Sequence, residues 1–254
     1  MNKLLAYPAI VLLLLLSSFA FDKRDNINIV FIGDSITHGT MAKDQSPVIY
    51  AGNYLEEKQL FKKVQVANQG VSGFTTVDFL PATHKAYPKV KAAANEFYSD
   101  STAQLVFSIM LGTNDSAIKG PTGSPVSAAN YRANLTTIAD SLLAAYPSSK
   151  IVLNYPIWYS NNTHNSGAAY MEEGQLRLKS YWPEIDAVVK AFKKSHPRHV
   201  FKGDRKAYQY FEDNYKTHLK PEKGLDGIFY LHPNKPGDMA LGEFWAKAIV
   251  SAVK

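Results

Sequence analysis

The sequence predicts an α/β fold, a three-layer sandwich built on one parallel sheet of about five strands. Short apolar runs recur along the chain, the pattern of strands buried on both faces. Segments with helical spacing lie between them, as parallel strands with right-handed crossovers require. Several runs also close in small or polar residues, Gly33-Asp34-Ser35, Gly70 and Gly112-Thr113-Asn114. Open α/β sheets bind their ligands at those carboxyl ends.

The first strand is Ile27-Asn28-Ile29-Val30-Phe31-Ile32, apolar except at Asn28, and Gly33 ends it. Pro47 to Phe61 reads as a helix, and Val64 to Asn68 as the second strand, followed by the glycine-rich turn Gln69-Gly70-Val71-Ser72-Gly73. Thr76 to Val90 is interrupted by Pro81 and Pro88, leaving a helical turn or two at Ala92 to Tyr98. Leu105 to Leu111 is the third strand. Ala128 to Tyr146 carries Tyr131, Leu135, Ile138 and Leu142 at helical spacing, and Pro147 ends it. Lys150 to Tyr155 is the fourth strand, and Pro156 to Gly167 a polar and aromatic loop. Ala168 to Lys194 reads as a long helix interrupted at Trp182-Pro183, and Val200-Phe201 as a short fifth strand. Asp204 to Thr217 is helical, Lys220 to Asn234 a loop, and Asp238 to Val253 a terminal amphipathic helix.

The N-terminus reads as a processing segment. Lys3 precedes the apolar stretch Leu4 to Leu16, and Ser18 and Ala20 stand at the −3 and −1 positions of a cleavage site. The stretch is short for a bilayer span, so the alternative of an uncleaved anchor is the weaker one. The expectation is a signal peptide at 1–20, one domain at 21–254, no stable membrane span after cleavage, and an exported protein, periplasmic or secreted. The chain has 254 residues, 46% of them apolar and 20% charged, which suits a single domain with a sizeable core. Its net charge is +6, yet no Lys/Arg run exceeds two residues, so nothing marks a nucleic-acid surface. Without cysteine there are neither disulfides nor cysteine-linked lipids. Nothing in the sequence decides an oligomeric state.

Parallel strands bring Ser35, Gly70 and Asn114 to one edge, and the loop holding His232-Pro233-Asn234 can return there. A serine hydroxyl needs a base to act as a nucleophile at neutral pH, and His232 is the candidate. An acyl-transfer intermediate needs donors aimed at its oxyanion. The N–H of Ser35, the N–H of Gly70 and the amide of Asn114 could supply them. His38 reads as a helix-surface residue, and the other histidines lack metal-ligand spacing. The aromatics of Tyr155-Pro156-Ile157-Trp158-Tyr159, and Tyr230, could stack on a sugar or pack into the core.

These blocks, in this order from Gly33 to Asn234, resemble the SGNH (GDSL) hydrolase superfamily. The resemblance implies a flavodoxin-like sandwich, esterase activity and no cofactor or metal. It assigns Ser35 as nucleophile and first oxyanion donor, Gly70 and Asn114 as the other donors, and His232 as base. One departure stands out. The family's orienting aspartate lies three residues before the histidine, where this chain has Phe229. The nearest upstream carboxylate is Asp226, with Glu222 beyond it. Either Asp226 reaches His232 through a folded-back 224–227 loop, or a main-chain carbonyl holds the ring and leaves a Ser–His dyad.

The leading functional expectation is a serine esterase removing a short acyl group, an acetyl, from a carbohydrate. Tyr155-Pro156-Ile157-Trp158 and the 229–234 segment are similar to those of exported sugar deacetylases. A lipase or lysophospholipase of the same superfamily is the rival within the class, and a non-catalytic glycan-binding protein the rival outside it. A nucleotide-binding protein is disfavoured, since Asp34 stands where a phosphate would bind and no Gly-x-Gly-x-x-Gly occurs.

Overall fold

The computed structural model describes residues 25–39 and 45–254. The signal segment expected at 1–20 lies outside them. Five strands form one parallel sheet: β1 (Asn26–Gly33), β2 (Lys63–Gly70), β3 (Ala103–Met110), β4 (Lys150–Leu153) and β5 (Val200–Lys202), in the order β2-β1-β3-β4-β5. This is the doubly wound order whose direction of winding reverses at β1, opening a crevice at the carboxyl ends of β1 and β3. The flavodoxin-like sandwich read from the sequence is the fold observed.

The helices are α1 (Ser35–His38), α2 (Pro47–Glu57), α3 (Tyr87–Tyr98), α4 (Thr113–Ser116), α5 (Ala128–Ala145), α6 (Met171–Ser180), α7 (Trp182–Ser195), α8 (Lys206–His218) and α9 (Lys235–Val253). Among the described residues none is long and apolar enough to cross a membrane. Central β1 shows how the layers are fixed. Its side chains alternate between faces. On one face Phe31 stacks on Trp245 of α9, with ring centroids 5.6 Å apart. On the other, Asn28 donates from Nδ2 to the Phe97 carbonyl of α3 at 3.2 Å. The polar break in an apolar strand is therefore a bond to a helix end whose carbonyls lack partners within the helix. α9 also packs on α2 at backbone range, where a Cβ on Gly242 would stand 2.7 Å from the Pro47 carbonyl.

Three segments differ from the sequence reading. α3 begins at Tyr87 and α9 at Lys235, because Pro88 and Pro236 sit in the first turn, where a missing N–H costs no intrahelical bond. The interruption read at Trp182-Pro183 is present, two helices meeting at Tyr181 with Pro183 at the start of the second. Most consequential, 220–234 is not a loop. It contains an antiparallel hairpin of β6 (Leu219–Gly224) and β7 (Gly227–Pro233), with a register irregularity between Leu219 and Pro221.

Asp238, in the first turn of α9, is buried, and its Oδ2 has no hydrogen-bond partner among the described residues. Burial pushes its pKa up to about 7, against the opposing pull of Lys220. The unfolded chain releases this proton near pH 4, so the folded state holds more protons between about pH 4 and pH 7 and stability falls as pH rises through that window. We expect Asp238→Asn to lose less melting temperature than wild type between pH 5 and pH 8. Parallel melting curves for the two proteins would contradict this.

Candidate active site

Gly33 ends β1 at a crowded point. A Cβ there would stand 2.0 Å from Thr37 Oγ1 and 2.7 Å from the Met110 carbonyl, so only glycine lets α1 fold back over the end of β3. Asp34 caps α1, its Oδ1 accepting the Ile36 N–H at 2.9 Å. Burial lifts its pKa to about 6, opposed by the Ile36 bond and the charge of His232. This turn delivers Ser35, half-buried, at the sheet edge.

The hairpin brings His232 to it. Ser35 Oγ and His232 Nε2 stand 2.9 Å apart. On the far side of the ring, Nδ1 lies 2.8 Å from Glu222 Oε1, which also accepts the His232 backbone N–H at 3.2 Å. Burial raises the Glu222 pKa, but its bonds to His232 and the imidazole charge outweigh this and hold it below the ordinary value. The carboxylate stays ionised at neutral pH and fixes Nδ1 as the protonated nitrogen.

Asp226, the expected partner of His232, is elsewhere. It sits in the turn of the hairpin with Oδ2 2.6 Å from His164 Nδ1. Nor does a main-chain carbonyl hold the ring. The acid is Glu222, which pairs in register with Phe229, the residue at the family's usual acid position. A carboxylate therefore stands at the cross-strand neighbour of Phe229. A reading of 220–234 as a loop hides this, because only an antiparallel ladder makes residues ten apart adjacent.

Asn114 belongs to the single turn α4 that follows Gly112, a glycine at φ +128°. Its Nδ2 donates to the Phe74 carbonyl at 2.9 Å, and its Oδ1 accepts the Tyr170 hydroxyl at 2.6 Å. Next to it, buried Asp115 accepts the Thr76 N–H at 3.0 and 3.1 Å and the Thr76 hydroxyl on Oδ1. Asn134 in turn donates to Thr76 Oγ1 at 2.9 Å. Burial drives the Asp115 pKa up to about 7 despite these bonds. Asn114 and Asp115 together fasten the loop after β3 to the loop after β2.

Gly70 does not serve as expected. Its N–H already donates to Asn68 Oδ1 at 2.9 Å, and a Cβ would stand 2.3 Å from the His38 backbone nitrogen. It is a packing glycine that lets β2 lie against α1. The open position is Gly73, at φ +78°, with nothing within 4 Å of its Cβ direction. Its N–H makes no hydrogen bond among the described residues, and the next carbonyl, Phe74, is the one bonded to Asn114. The two glycines lie three residues apart at the same strand end, and only their surroundings in the fold separate them.

The remaining residues are quickly placed. His38 is exposed, its Nδ1 3.0 Å from the Gly70 carbonyl. Tyr155, Ile157, Trp158 and Tyr159 are buried, so this stretch is core rather than a sugar platform. Tyr230 is half-buried, edge-on to Tyr215 with centroids 4.8 Å apart. Among the described residues, no three His, Cys, Asp or Glu side chains gather as a metal site. The geometry provides a hydroxyl, a base held by an ionised acid, and an amide at one crevice, the parts needed for acyl transfer.

Residues 31–240 match the GDSL-like Lipase/Acylhydrolase family. Among curated proteins, none is similar to the chain in sequence. Among solved structures, a lipase/acylhydrolase from Enterococcus faecalis is similar at TM-score 0.59 and 22% identity, over 90% of this chain and 97% of that one. A carbohydrate acetylesterase from Sinorhizobium meliloti is similar at TM-score 0.58 and 16% identity, over 89% and 99%. A catalytic mutant of an acetylxylan esterase from Geobacillus stearothermophilus is similar at TM-score 0.56 and 20% identity, over 91% and 96%. At these identities the likeness establishes the shared fold.

The two glycines can be told apart experimentally. Gly70→Ala should destabilise the protein by about 3 kcal/mol or more, since the new methyl meets backbone that cannot move aside. Its melting temperature and soluble yield should both fall. A Gly70→Ala protein as stable as wild type would contradict the packing role.

Proposed function

The chain belongs to the GDSL-like lipase/acylhydrolase family, a carboxylic ester hydrolase therefore, and from that premise we propose that it acts through Ser35, His232 and Glu222 on short acyl esters of carbohydrate. The observation that carries the mechanism is the continuous path Ser35 Oγ–His232 Nε2, Nδ1–Glu222 Oε1, at 2.9 and 2.8 Å. Ser35 Oγ attacks the ester carbonyl carbon as its proton passes to Nε2. Glu222 keeps Nδ1 protonated and stabilises the imidazolium that forms. The tetrahedral oxyanion is met by the Ser35 N–H, the Gly73 N–H and the second Nδ2 hydrogen of Asn114. His232 then gives its proton to the departing alkoxide, leaving an acyl-serine. Water attacks that ester, its proton passing to Nε2, and the carboxylic acid leaves as Ser35 recovers its proton.

The substrate class rests on other observations. The loop 161–167 is rich in asparagine, threonine and serine and lies along the base-carrying hairpin, where Asn162 Nδ2 donates to the Ile228 carbonyl at 2.9 Å. A polar loop beside that hairpin suits a hydroxyl-rich leaving group better than a long acyl chain. The acetylesterases that share the fold support the same reading. Export, read from residues 1–20, would place the enzyme where polymeric acetylated glycans occur. The lipase reading remains the rival within the family.

Ser35→Ala should abolish ester hydrolysis with a melting temperature close to wild type. Glu222→Gln should lower kcat by about 10²- to 10⁴-fold, because tautomer and ring orientation are both disturbed. Asp226→Asn, at a residue that faces His164, should stay within about threefold of wild type. The reverse pattern, a collapse in Asp226→Asn and a normal Glu222→Gln, would overturn the assignment. For the substrate, acetate release from acetylated xylan, pectin and sialic acid should exceed fatty-acid release from a lysophospholipid. Preference for the long-chain lipid would support the lipase instead.

A further inference from the structure

We infer that Tyr170 is a positioning residue for the oxyanion amide, holding Asn114 in the one orientation that aims an N–H at the reacting ester. This rests on the esterase reading above. The Phe74 carbonyl can only accept, so the side of the Asn114 amide facing it must be Nδ2. That fixes the amide, and the opposite side, Oδ1, faces the Tyr170 hydroxyl at 2.6 Å. The hydroxyl therefore donates. With Oδ1 engaged and one Nδ2 hydrogen on Phe74, a single hydrogen of the amide is left for substrate. A flipped amide would set Oδ1 against the Phe74 carbonyl, oxygen against oxygen, and present an acceptor to a developing negative charge.

The fold goes to some length to place this hydroxyl. Tyr170 is buried, and burial, Asp34, Tyr159 and Glu222 all push its phenol above the ordinary value, so it keeps its proton. Its backbone N–H donates to the Thr163 carbonyl at 2.9 Å. The preceding residue, Ala169, accepts the Ile118 N–H on its carbonyl at 2.8 Å and donates its own N–H to the Lys119 carbonyl at 3.0 Å. The next residue, Met171, adopts φ +56°, a left-handed conformation that costs a side-chain-bearing residue energy and that clusters at functional sites.

The same loop also grips the hairpin. Ser160 N–H donates to the Tyr230 carbonyl at 2.9 Å, Tyr230 N–H to Ser160 Oγ at 2.8 Å, and Leu225 N–H to the His164 carbonyl at 2.9 Å. With the His164–Asp226 pair at the hairpin turn, residues 160–170 tie the base to the oxyanion amide. Asp226 has a place in this scheme as an anchor for the hairpin, with no contact to His232.

Tyr170→Phe removes the hydroxyl and keeps the ring. With a short chromogenic acetate, kcat should fall about tenfold or more while KM stays within about twofold, since the amide acts on charge present only in the transition state. Asn114→Ala should lower kcat by about 10²- to 10³-fold, and adding Tyr170→Phe to it should change nothing further, because the residue acts through Asn114. Tyr159→Phe removes the neighbouring buried hydroxyl, which bonds Ser116 Oγ at 2.9 Å, and should leave kcat unchanged. A Tyr170→Phe kcat within about twofold of wild type, or a loss that multiplies with that of Asn114→Ala, would overturn the proposal. Tyr170→Met, an adaptable side chain without a hydroxyl, carries the same expectation should the phenylalanine variant not fold. An arm independent of turnover uses the Asn114 side-chain amide resonances, assigned by their loss in Asn114→Ala. They should be distinct and slowly exchanging in wild type and averaged in Tyr170→Phe, and unaltered resonances would count against the proposal. If wild type shows no Ser35-dependent hydrolysis, the esterase reading fails and the resonance arm still decides on Tyr170.

Discussion

The 2.9 Å contact between Ser35 Oγ and His232 Nε2 joins the turn after the first strand of the sheet to the hairpin strand before the terminal helix, and the site depends on it. Nothing local can produce that contact. It requires β1 to end at an edge where a glycine lets the chain turn back, and a hairpin outside the main sheet to carry an imidazole to the same edge. Parallel winding satisfies the first condition for every strand at once, so Ser35 and Asn114 follow adjacent strands at one edge of the sheet. The second condition is met by β6 and β7, whose ladder also delivers Glu222 to the far side of the ring.

The crevice gathers features that are costly wherever in the chain they occur. Asp34 and Asp115 are buried carboxylates, lifted to about 6 and about 7, and the charge of Asp34 is among the causes that raise Asp115. Thr37 Oγ1 is buried with no hydrogen-bond partner among the described residues. Gly112 and Met171 hold left-handed backbone on either side of Asn114 and Tyr170. Such departures from local preference are expected to gather at functional sites, where geometry rather than stability has been selected. Asp115 shows the compensation. Its cost of burial is offset by three bonds from Thr76, and those bonds set the loop that carries Gly73 and Phe74.

Much of this was legible in the sequence, for identifiable reasons. The five strands announce themselves because strands buried on two faces are apolar throughout, and Ser35, Asn114 and His232 because they follow strand ends or sit in a recognisable block. What was not legible depends on contacts across the chain. Pro221, Gly224 and Gly227 make 220–234 look like a loop, while Glu222 becomes the partner of His232 only through antiparallel pairing. Gly70 and Gly73 have the same composition cues, and what separates them is the crowding of His38 around one and the open space around the other. The aromatics at 155–159 are equally suited to a sugar or a core, and burial alone decides for the core.

The proposed nucleophile is Ser35, activated through a histidine that Glu222 holds. Its most direct test is the rate at which a fluorophosphonate reagent forms an adduct, with the modified peptide located by mass spectrometry. A single adduct should form on Ser35, rapidly in wild type and in a variant lacking the Asp226 carboxylate, and orders of magnitude more slowly when the Glu222 carboxylate is removed. An adduct on another residue, or labelling of Ser35 that is indifferent to Glu222, would contradict it.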